Sequence, residues 1–288
     1  MSDIHNVAVL GFGTMGAGIV QVVAASGRPV TVLDTDQDRA DAGLARLRAF
    51  LDGGVRRGKL TEAGRDELLD RVRPVTDLAA LASCDLVIEA VTERADVKRD
   101  LLARVAAVVA GDALIVTNTS ALSVTDLAGS VPNPGRVAGL HFFNPAPLMK
   151  VVEVVRALQS EPGVAERLSA FVEDLGKDPV VVKDRPGFLV NHLLLPYLND
   201  VIAEYDAELA SAEDIDTAMR LGLGYKLGPL ELLDLIGLDV HEHATRSAYD
   251  ATLDPRFAPP PLLRQMVAAG YHGDKNGQGF RTEKGNAQ

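Results

Sequence analysis

Near the start of the chain, three glycines stand between an apolar run and a helix-like segment. The residues are Val7-Ala8-Val9-Leu10-Gly11-Phe12-Gly13-Thr14-Met15-Gly16, then Ala17-Gly18-Ile19-Val20-Gln21-Val22-Val23. This G-x-G-x-x-G follows a strand pattern and opens a helix, a placement that constrains the fold more than any other feature. The first glycine permits a tight turn, the second lets a ligand approach the backbone, and the third lets the helix lie close on the strand. The free N–H groups and partial positive charge of the helix start then suit a pyrophosphate. Gly11, Gly13, Thr14, Met15 and Gly16 are therefore read as a dinucleotide phosphate loop. A second apolar run, Val30-Thr31-Val32-Leu33, ends in Asp34, 23 residues beyond Gly11. An acid about 20 residues on accepts hydrogen bonds from the adenosine ribose hydroxyls. The plain alternative is a β–turn–α unit whose strand happens to end in aspartate. A carboxylate here would repel a 2′-phosphate, and the nearest cation is Arg39, which favours NAD over NADP.

Strand-like runs recur with helical patterns between them: Val7–Leu10, Val30–Leu33, Leu86–Ala90, Leu114–Thr117 and Val137–Leu140. That alternation is the mark of βαβ units and a parallel sheet. Residues 36–73 read as a long helical excursion broken near Gly53-Gly54. Residues 148–156 read as a strand carrying a charge, 163–176 as a helix, and Asp178–Val182 as another strand. Asp184-Arg185-Pro186-Gly187 punctuates the chain. Beyond it the pattern is helical: Phe188–Leu209 with Pro196 as an expected kink, a helix start at Ser211-Ala212-Glu213-Asp214, and another at Gly228-Pro229. The expectation is an α/β Rossmann-type doubly wound sheet over residues 1–186, followed by an all-helical domain over 187–288. So much apolar surface on about 100 residues buries poorly alone, so dimerisation through the helical part is expected.

The 288 residues carry a net charge of −11, with 47% apolar and 24% charged side chains. Such a balance fits a soluble globular protein and argues against nonspecific binding to nucleic acid or an anionic membrane. Any phosphate-bearing ligand must be held by a local device. The lone Cys84 excludes an intrachain disulfide and reads as a small buried residue. No clustered Cys/His spacing suggests a metal site. No secretory signal pattern and no apolar run near ~18 residues is present, so a cytoplasmic location is expected.

The carboxyl ends of strands in an open α/β sheet face the ligand crevice. Asn118-Thr119-Ser120 follows one strand run, and His141-Phe142-Phe143-Asn144-Pro145 follows another. A histidine just past a strand end can face a nicotinamide and, with an ordinary pKa near ~6.5, exchange a hydroxyl proton. Glu153 sits mid-strand among valines, where a glutamate is unfavourable without a partner such as an imidazole N–H. Blander roles stay open. Glu153 could pair with Lys150 or face solvent, Ser120 could cap the helix Val124–Ala128, and Asn144 could serve only as a turn residue.

At these residues the chain resembles the short-chain L-3-hydroxyacyl-CoA dehydrogenase family, most closely its bacterial 3-hydroxybutyryl-CoA dehydrogenase branch. The matching segments are GFGTMGAGIV (11–20), DLVIEAVTE (85–93), TNTSALS (117–123), GLHFFNPAPLMKVVEVV (139–155), DRPGFLVNHLLLPYLND (184–200), EDIDTAMRLGLGYKLGPLELLDLIGLD (213–239) and GDKNGQGF (273–280). They span nearly the whole length, and the HFFNP and PGFLVN segments are more specific than the glycines.

The resemblance implies an NAD-dependent enzyme interconverting (S)-3-hydroxyacyl-CoA and 3-ketoacyl-CoA. It implies His141 as the acid/base, Glu153 as its orienting partner, and Ser120 and Asn191 as donors to the substrate oxygen at C3. Asn118 and Asn144 would help hold the cofactor, and Glu93 and Lys98 match positions on the cofactor's ribose and phosphate side. Arg56, Arg57 and Lys59 occupy the excursion that family members use near the CoA phosphates, or else form a solvated helix face. The tail departs from the family: Arg281 follows Phe280 where tyrosine is common, and His272 and Asp274 flank Gly273 where an apolar residue and a cation are usual. Other readings stay in view. They are a carrier-protein-bound or 3-hydroxyadipyl thioester as substrate, a 6-phosphogluconate or hydroxyisobutyrate type of dehydrogenase (which uses a lysine base and lacks HFFNP), and a catalytically silent NAD-binding protein.

Overall fold

The computed structural model describes residues 2–281. Two compact units divide at the Asp184–Arg185 bond, two residues before the boundary that the sequence pattern suggests.

The first unit is built on β1 (Val7–Leu10), α1 (Thr14–Ala25), β2 (Val30–Leu33), α2 (Gln37–Arg56), α3 (Glu62–Asp70), β3 (Val72–Val75) and β4 (Leu86–Glu89). It continues with α4 (Ala95–Ala106), β5 (Leu114–Thr117), α5 (Val124–Ala128), β6 (Val137–Phe142), β7 (Val151–Arg156), α6 (Val164–Asp174) and β8 (Asp178–Lys183). The strands form one sheet in the order β3-β2-β1-β4-β5-β6-β7-β8. β1 through β6 run parallel, whereas β7 is antiparallel to β6, and β8 pairs parallel to β7. Strands β1, β4 and β5 are buried along their whole length, because helices cover both faces of the sheet; continuous apolar runs such as Val7–Leu10 are the sequence trace of that burial. Ile19, Val20 and Val23 of α1 and Phe171 and Val172 of α6 join the same core. Each edge strand holds a proline, Pro74 in β3 and Pro179 in β8, where a missing N–H leaves no gap inside the ladder.

Two expectations change at this level. α2 does not break at Gly53-Gly54 but runs on to Arg56. Leu47 and Leu51 bury its apolar face, and that packing outweighs the low helix propensity of glycine. The sheet is parallel over six strands and reverses at β7, and that reversal builds the site described below.

The second unit is helical: α7 (Val190–Asp206), α8 (Ala212–Leu223), α9 (Pro229–Ile236), α10 (Leu238–Thr252) and α11 (Pro261–Ala268). α7 continues through Pro196. Ser211 caps α8, its hydroxyl accepting from the Asp214 N–H at 3.1 Å. The start of α9 is satisfied differently. The carboxylate of Asp216, fully buried in α8, accepts from the N–H groups of Leu230 at 2.8 Å and Glu231 at 3.0 Å. Leu198, Ile202, Leu230, Leu233 and Leu263 form the centre of this unit.

Candidate active site

The site grows from the turn after β1. Gly11 holds φ +89°, which a side chain would strain. A Cβ on Gly16 would sit 1.9 Å from the Gly11 carbonyl oxygen, whereas one on Gly13 would meet nothing within 4 Å. The loop is thus closed towards the strand and open towards the outside, the shape a phosphate group needs. Beside it lies a cleft of about 580 Å³ lined by Gly11, Gly13, Asp34, Thr35 and Arg39, among others. Thr14 is exposed and Met15 half-buried at the first turn of α1. The Asp34 carboxylate accepts from the Phe12 N–H and the Thr35 N–H, each at 2.8 Å. These bonds tie the end of β2 to the glycine loop and fix the acid at the cleft. These residues fit an NAD adenosine and pyrophosphate.

The second part of the site lies at the ends of β5, β6 and β7. His141 is inside β6 rather than just past its end, and the antiparallel register sets it directly opposite Glu153. Directly opposed residues project on the same face, so the pair meets by topology alone. His141 Nδ1 lies 2.7 Å from Glu153 Oε2, and the two residues are 4% and 1% exposed. A carboxylate only accepts, so Nδ1 carries the hydrogen and donates to it. In the neutral ring Nε2 is then the acceptor, and Ser120 Oγ stands 3.0 Å from it. Glu153 therefore faces the imidazole, not Lys150 or solvent. The cap of α5 is Ser123, whose hydroxyl accepts from the Asp126 N–H, which leaves Ser120 free of that task.

The surrounding residues hold this pair. Asn118 Oδ1 accepts from the Phe142 N–H at 2.8 Å, tying β5's end to β6's end. Phe143 lies with its ring centre 4.6 Å from that of His141. Asn144 is exposed in the following loop. Lys177, buried and missed by sequence reasoning, donates to the carbonyls of Ala146 at 2.7 Å and Met149 at 2.6 Å and so anchors that loop. Burial and the nearby Lys150 charge hold its ammonium below the ordinary lysine pKa. Glu93 accepts from the Thr119 hydroxyl and from the Ser120 N–H at 2.9 Å. Burial works against its charge, but the Lys98 ammonium and these donors keep its carboxyl below the usual carboxylate range. Lys98 itself is buried against Glu89 at 2.7 Å. Arg56 at the end of α2, and Arg57 and Lys59 after it, are exposed, and none makes an ion pair among the described residues. Asn191 belongs to the second unit, half-buried in the first turn of α7.

The first unit thus brings Ser120, His141 and Glu153 into one hydrogen-bonded line. Such a line can take or give one proton at Nε2, with a carboxylate behind the ring to stabilise its charged form.

Comparison with known proteins gives the family of the chain. Residues 6–185 match the family model described as 3-hydroxyacyl-CoA dehydrogenase, NAD binding domain, and residues 187–283 match that of the 3-hydroxyacyl-CoA dehydrogenase C-terminal domain. The chain is 44% identical to 3-hydroxyadipyl-CoA dehydrogenase of Escherichia coli, over 97% of this chain and 59% of that longer protein. It is 42% identical to 3-hydroxybutyryl-CoA dehydrogenase of Mycobacterium tuberculosis, over 98% of this chain and 100% of that one. The crystal structure of (S)-3-hydroxybutyryl-CoA dehydrogenase from Ralstonia eutropha superposes with a TM-score of 0.93 at 38% identity, covering 98% of this chain and 100% of that chain. The chain belongs to the 3-hydroxyacyl-CoA dehydrogenase family.

Proposed function

We propose that the protein is an NAD-dependent dehydrogenase that interconverts (S)-3-hydroxyacyl-CoA and 3-ketoacyl-CoA, with 3-hydroxybutyryl-CoA, the substrate in the names of two relatives matched over their full length, as its substrate. The observation that carries the reading is the Ser120–His141–Glu153 line, with Nδ1 committed to the carboxylate and Nε2 left to work. When bound, the dinucleotide supplies a hydride acceptor or donor at its nicotinamide ring. The remaining tasks fall to this chain. In the direction of oxidation, His141 Nε2 accepts the proton of the 3-hydroxyl. Glu153 then stabilises the imidazolium, and the same proton returns when the ketone is reduced. Ser120 and Asn191 are assigned the substrate oxygen, where donors stabilise the charge that develops on it. Gly11, Gly13, Thr14, Met15, Gly16 and Asp34 hold the adenosine and phosphates. Asn118 and Asn144 help hold the cofactor, and Glu93, with Lys98 behind it, is assigned to its ribose and phosphate side. Arg56, Arg57 and Lys59 offer the local positive charge that CoA phosphates require on an acidic chain.

The name of the Escherichia coli relative supports a second reading, a 3-hydroxyadipyl thioester. One experiment covers both: steady-state oxidation of NADH and NADPH against a panel of 3-ketoacyl-CoA chain lengths that includes 3-ketoadipyl-CoA. Highest kcat/KM with acetoacetyl-CoA and NADH supports the proposal, and no NADH oxidation with any thioester overturns it.

We also infer that the protein is a cytoplasmic homodimer. No helix among the described residues is long and apolar enough to cross a membrane. Leu221, Leu223, Tyr225, Leu235 and Val240 of the second unit are exposed, Leu221 by 81%, an apolar surface that a second copy would cover. A monomer in sedimentation at micromolar concentration would contradict the dimer.

A further inference from the structure

Behind the line of Ser120 and His141 lies a cluster of charge whose deepest members reach no solvent. Glu89, the last residue of β4, is 0% exposed, and Lys98 of α4 is 1% exposed. The ammonium of Lys98 donates to both oxygens of Glu89, at 2.7 and 2.9 Å. Glu89 is itself fixed on both oxygens. Oε1 accepts from the Val91 N–H at 2.7 Å, and Oε2 accepts from the Thr117 hydroxyl at 2.6 Å. Lys98's remaining close carboxylate is Glu93, whose Oε2 is 3.2 Å away. The other oxygen of Glu93 takes the Thr119 hydroxyl and the N–H groups of Ser120 at 2.9 Å and Ala121 at 3.2 Å. A chain of contacts therefore runs from the centre of the sheet, through Lys98 and Glu93, to the turn that carries the Ser120 hydroxyl.

An ion pair this deep adds little net stability over apolar side chains of the same size, because both charges leave water. What it supplies is direction. The side chain of Glu93 is 43% exposed, and an unheld surface glutamate samples several rotamers. With one oxygen on a cation that cannot move, its other oxygen stays on the turn. Lys98 reaches the turn that carries Ser120 through Glu93.

We propose that Glu89 and Lys98 are positioning residues for the dehydrogenase reaction: together they clamp Glu93, and Glu93 sets the Ser120 hydroxyl against His141 Nε2. The inference rests on the dehydrogenase reading above and adds to it two residues that touch no reacting atom. A displacement of a catalytic group by about 1 Å can lower a rate by about 10²-fold.

The test is the double variant Glu89→Gln/Lys98→Met, which removes both buried charges at nearly constant volume. Its melting temperature, NADH affinity, kcat, acetoacetyl-CoA KM and pH profile are compared with those of wild type. The expected result is a folded protein with kcat lowered about 10- to 100-fold and acetoacetyl-CoA KM within about threefold of wild type. Without the ammonium, burial is opposed only by the Thr119 and Ser120 donors, so the Glu93 carboxyl moves upward and kcat gains a fall on the acid side that wild type lacks. Glu93→Gln alone should lower kcat by a similar factor, and adding the double variant to it should bring no further loss, because all three changes break one chain. Losses that multiply would mean that the pair acts on turnover by a route other than Glu93 and would overturn the proposal. So would a folded double variant with wild-type kcat. If the double variant does not fold, Glu93→Gln decides: its side chain is half exposed, and kcat within twofold of wild type overturns the clamp. A wild-type protein that turns over no 3-ketoacyl-CoA removes the dehydrogenase reading, and this inference with it.

Discussion

Replacing Glu153 by glutamine separates charge from shape. The amide oxygen can still accept the Nδ1–H hydrogen bond, so ring orientation and tautomer are kept, while the negative charge is lost. Glu153 Oε2 is 2.7 Å from Nδ1, and the residue is 1% exposed. When the ring takes a proton, its charge centre lies roughly 4 Å from that of the carboxylate, and an effective dielectric near 20 gives about 4 kcal/mol of attraction. The glutamine dipole recovers part of it, leaving a loss of about 3–4 kcal/mol on the transition state, or about 10²–10³ in kcat. Glu153 is buried behind the ring, so KM for (S)-3-hydroxybutyryl-CoA should change by less than about threefold. The assay is steady-state NAD reduction with (S)-3-hydroxybutyryl-CoA, the direction in which the imidazolium forms, with a thermal melt to confirm folding. A folded Glu153→Gln enzyme with kcat within threefold of wild type would refute the reasoning, since the carboxylate would then stabilise nothing that forms during turnover.

Two further outcomes follow from the structure. Gly16→Ala places a Cβ 1.9 Å from the Gly11 carbonyl oxygen, so the phosphate loop must shift. NADH affinity by fluorescence titration should drop at least about tenfold, with about 1–3 kcal/mol of stability lost, and unchanged affinity would contradict the loop's role. His241, buried in α10, has its pKa pushed down to about 4 by burial and hydrogen-bonds Asn199 Oδ1 at 3.0 Å. The unfolded chain binds this proton from about pH 6.5 downward and the folded one does not. Stability is therefore full above that pH and falls by about 3 kcal/mol as pH drops towards 4. His241→Gln should lose that much less over the same interval in urea melts, and equal acid losses would rule the histidine out as their source.

Much of this fold could be read from residues alone because its strands are buried on both faces. Val7–Leu10, Val30–Leu33 and Leu114–Thr117 are short runs with at most one threonine among aliphatic residues, and each forms a strand with those bounds. β3 escaped notice because it is an edge strand: Val72-Arg73-Pro74-Val75 needs neither continuous apolarity nor every N–H. α2 outruns its sequence pattern for the opposite reason, since tertiary burial of Leu47 and Leu51 carries the helix past two glycines. His141 and Glu153 stand out as polar residues among aliphatic ones, but their meeting depends on β7 running antiparallel to β6, which periodicity cannot show. Glu89 and Lys177 lay beyond sequence reasoning altogether. Glu89 ends an apolar run as any strand-end acid does, and its partners Lys98 and Thr117 come from a helix and a neighbouring strand. Lys177 bonds only to backbone carbonyls, which no side-chain pattern records.

The measurement that bears most directly on the mechanism is the turnover of His141→Ala with saturating acetoacetyl-CoA and NADH, in protein shown by titration to bind NADH as wild type does. If His141 is the group that exchanges a proton at the substrate oxygen, its loss should lower kcat by at least about 10²–10⁴. Turnover equal to wild type would mean that the proton travels by another route, and that the His141–Glu153 pair is only a structural link between two strands.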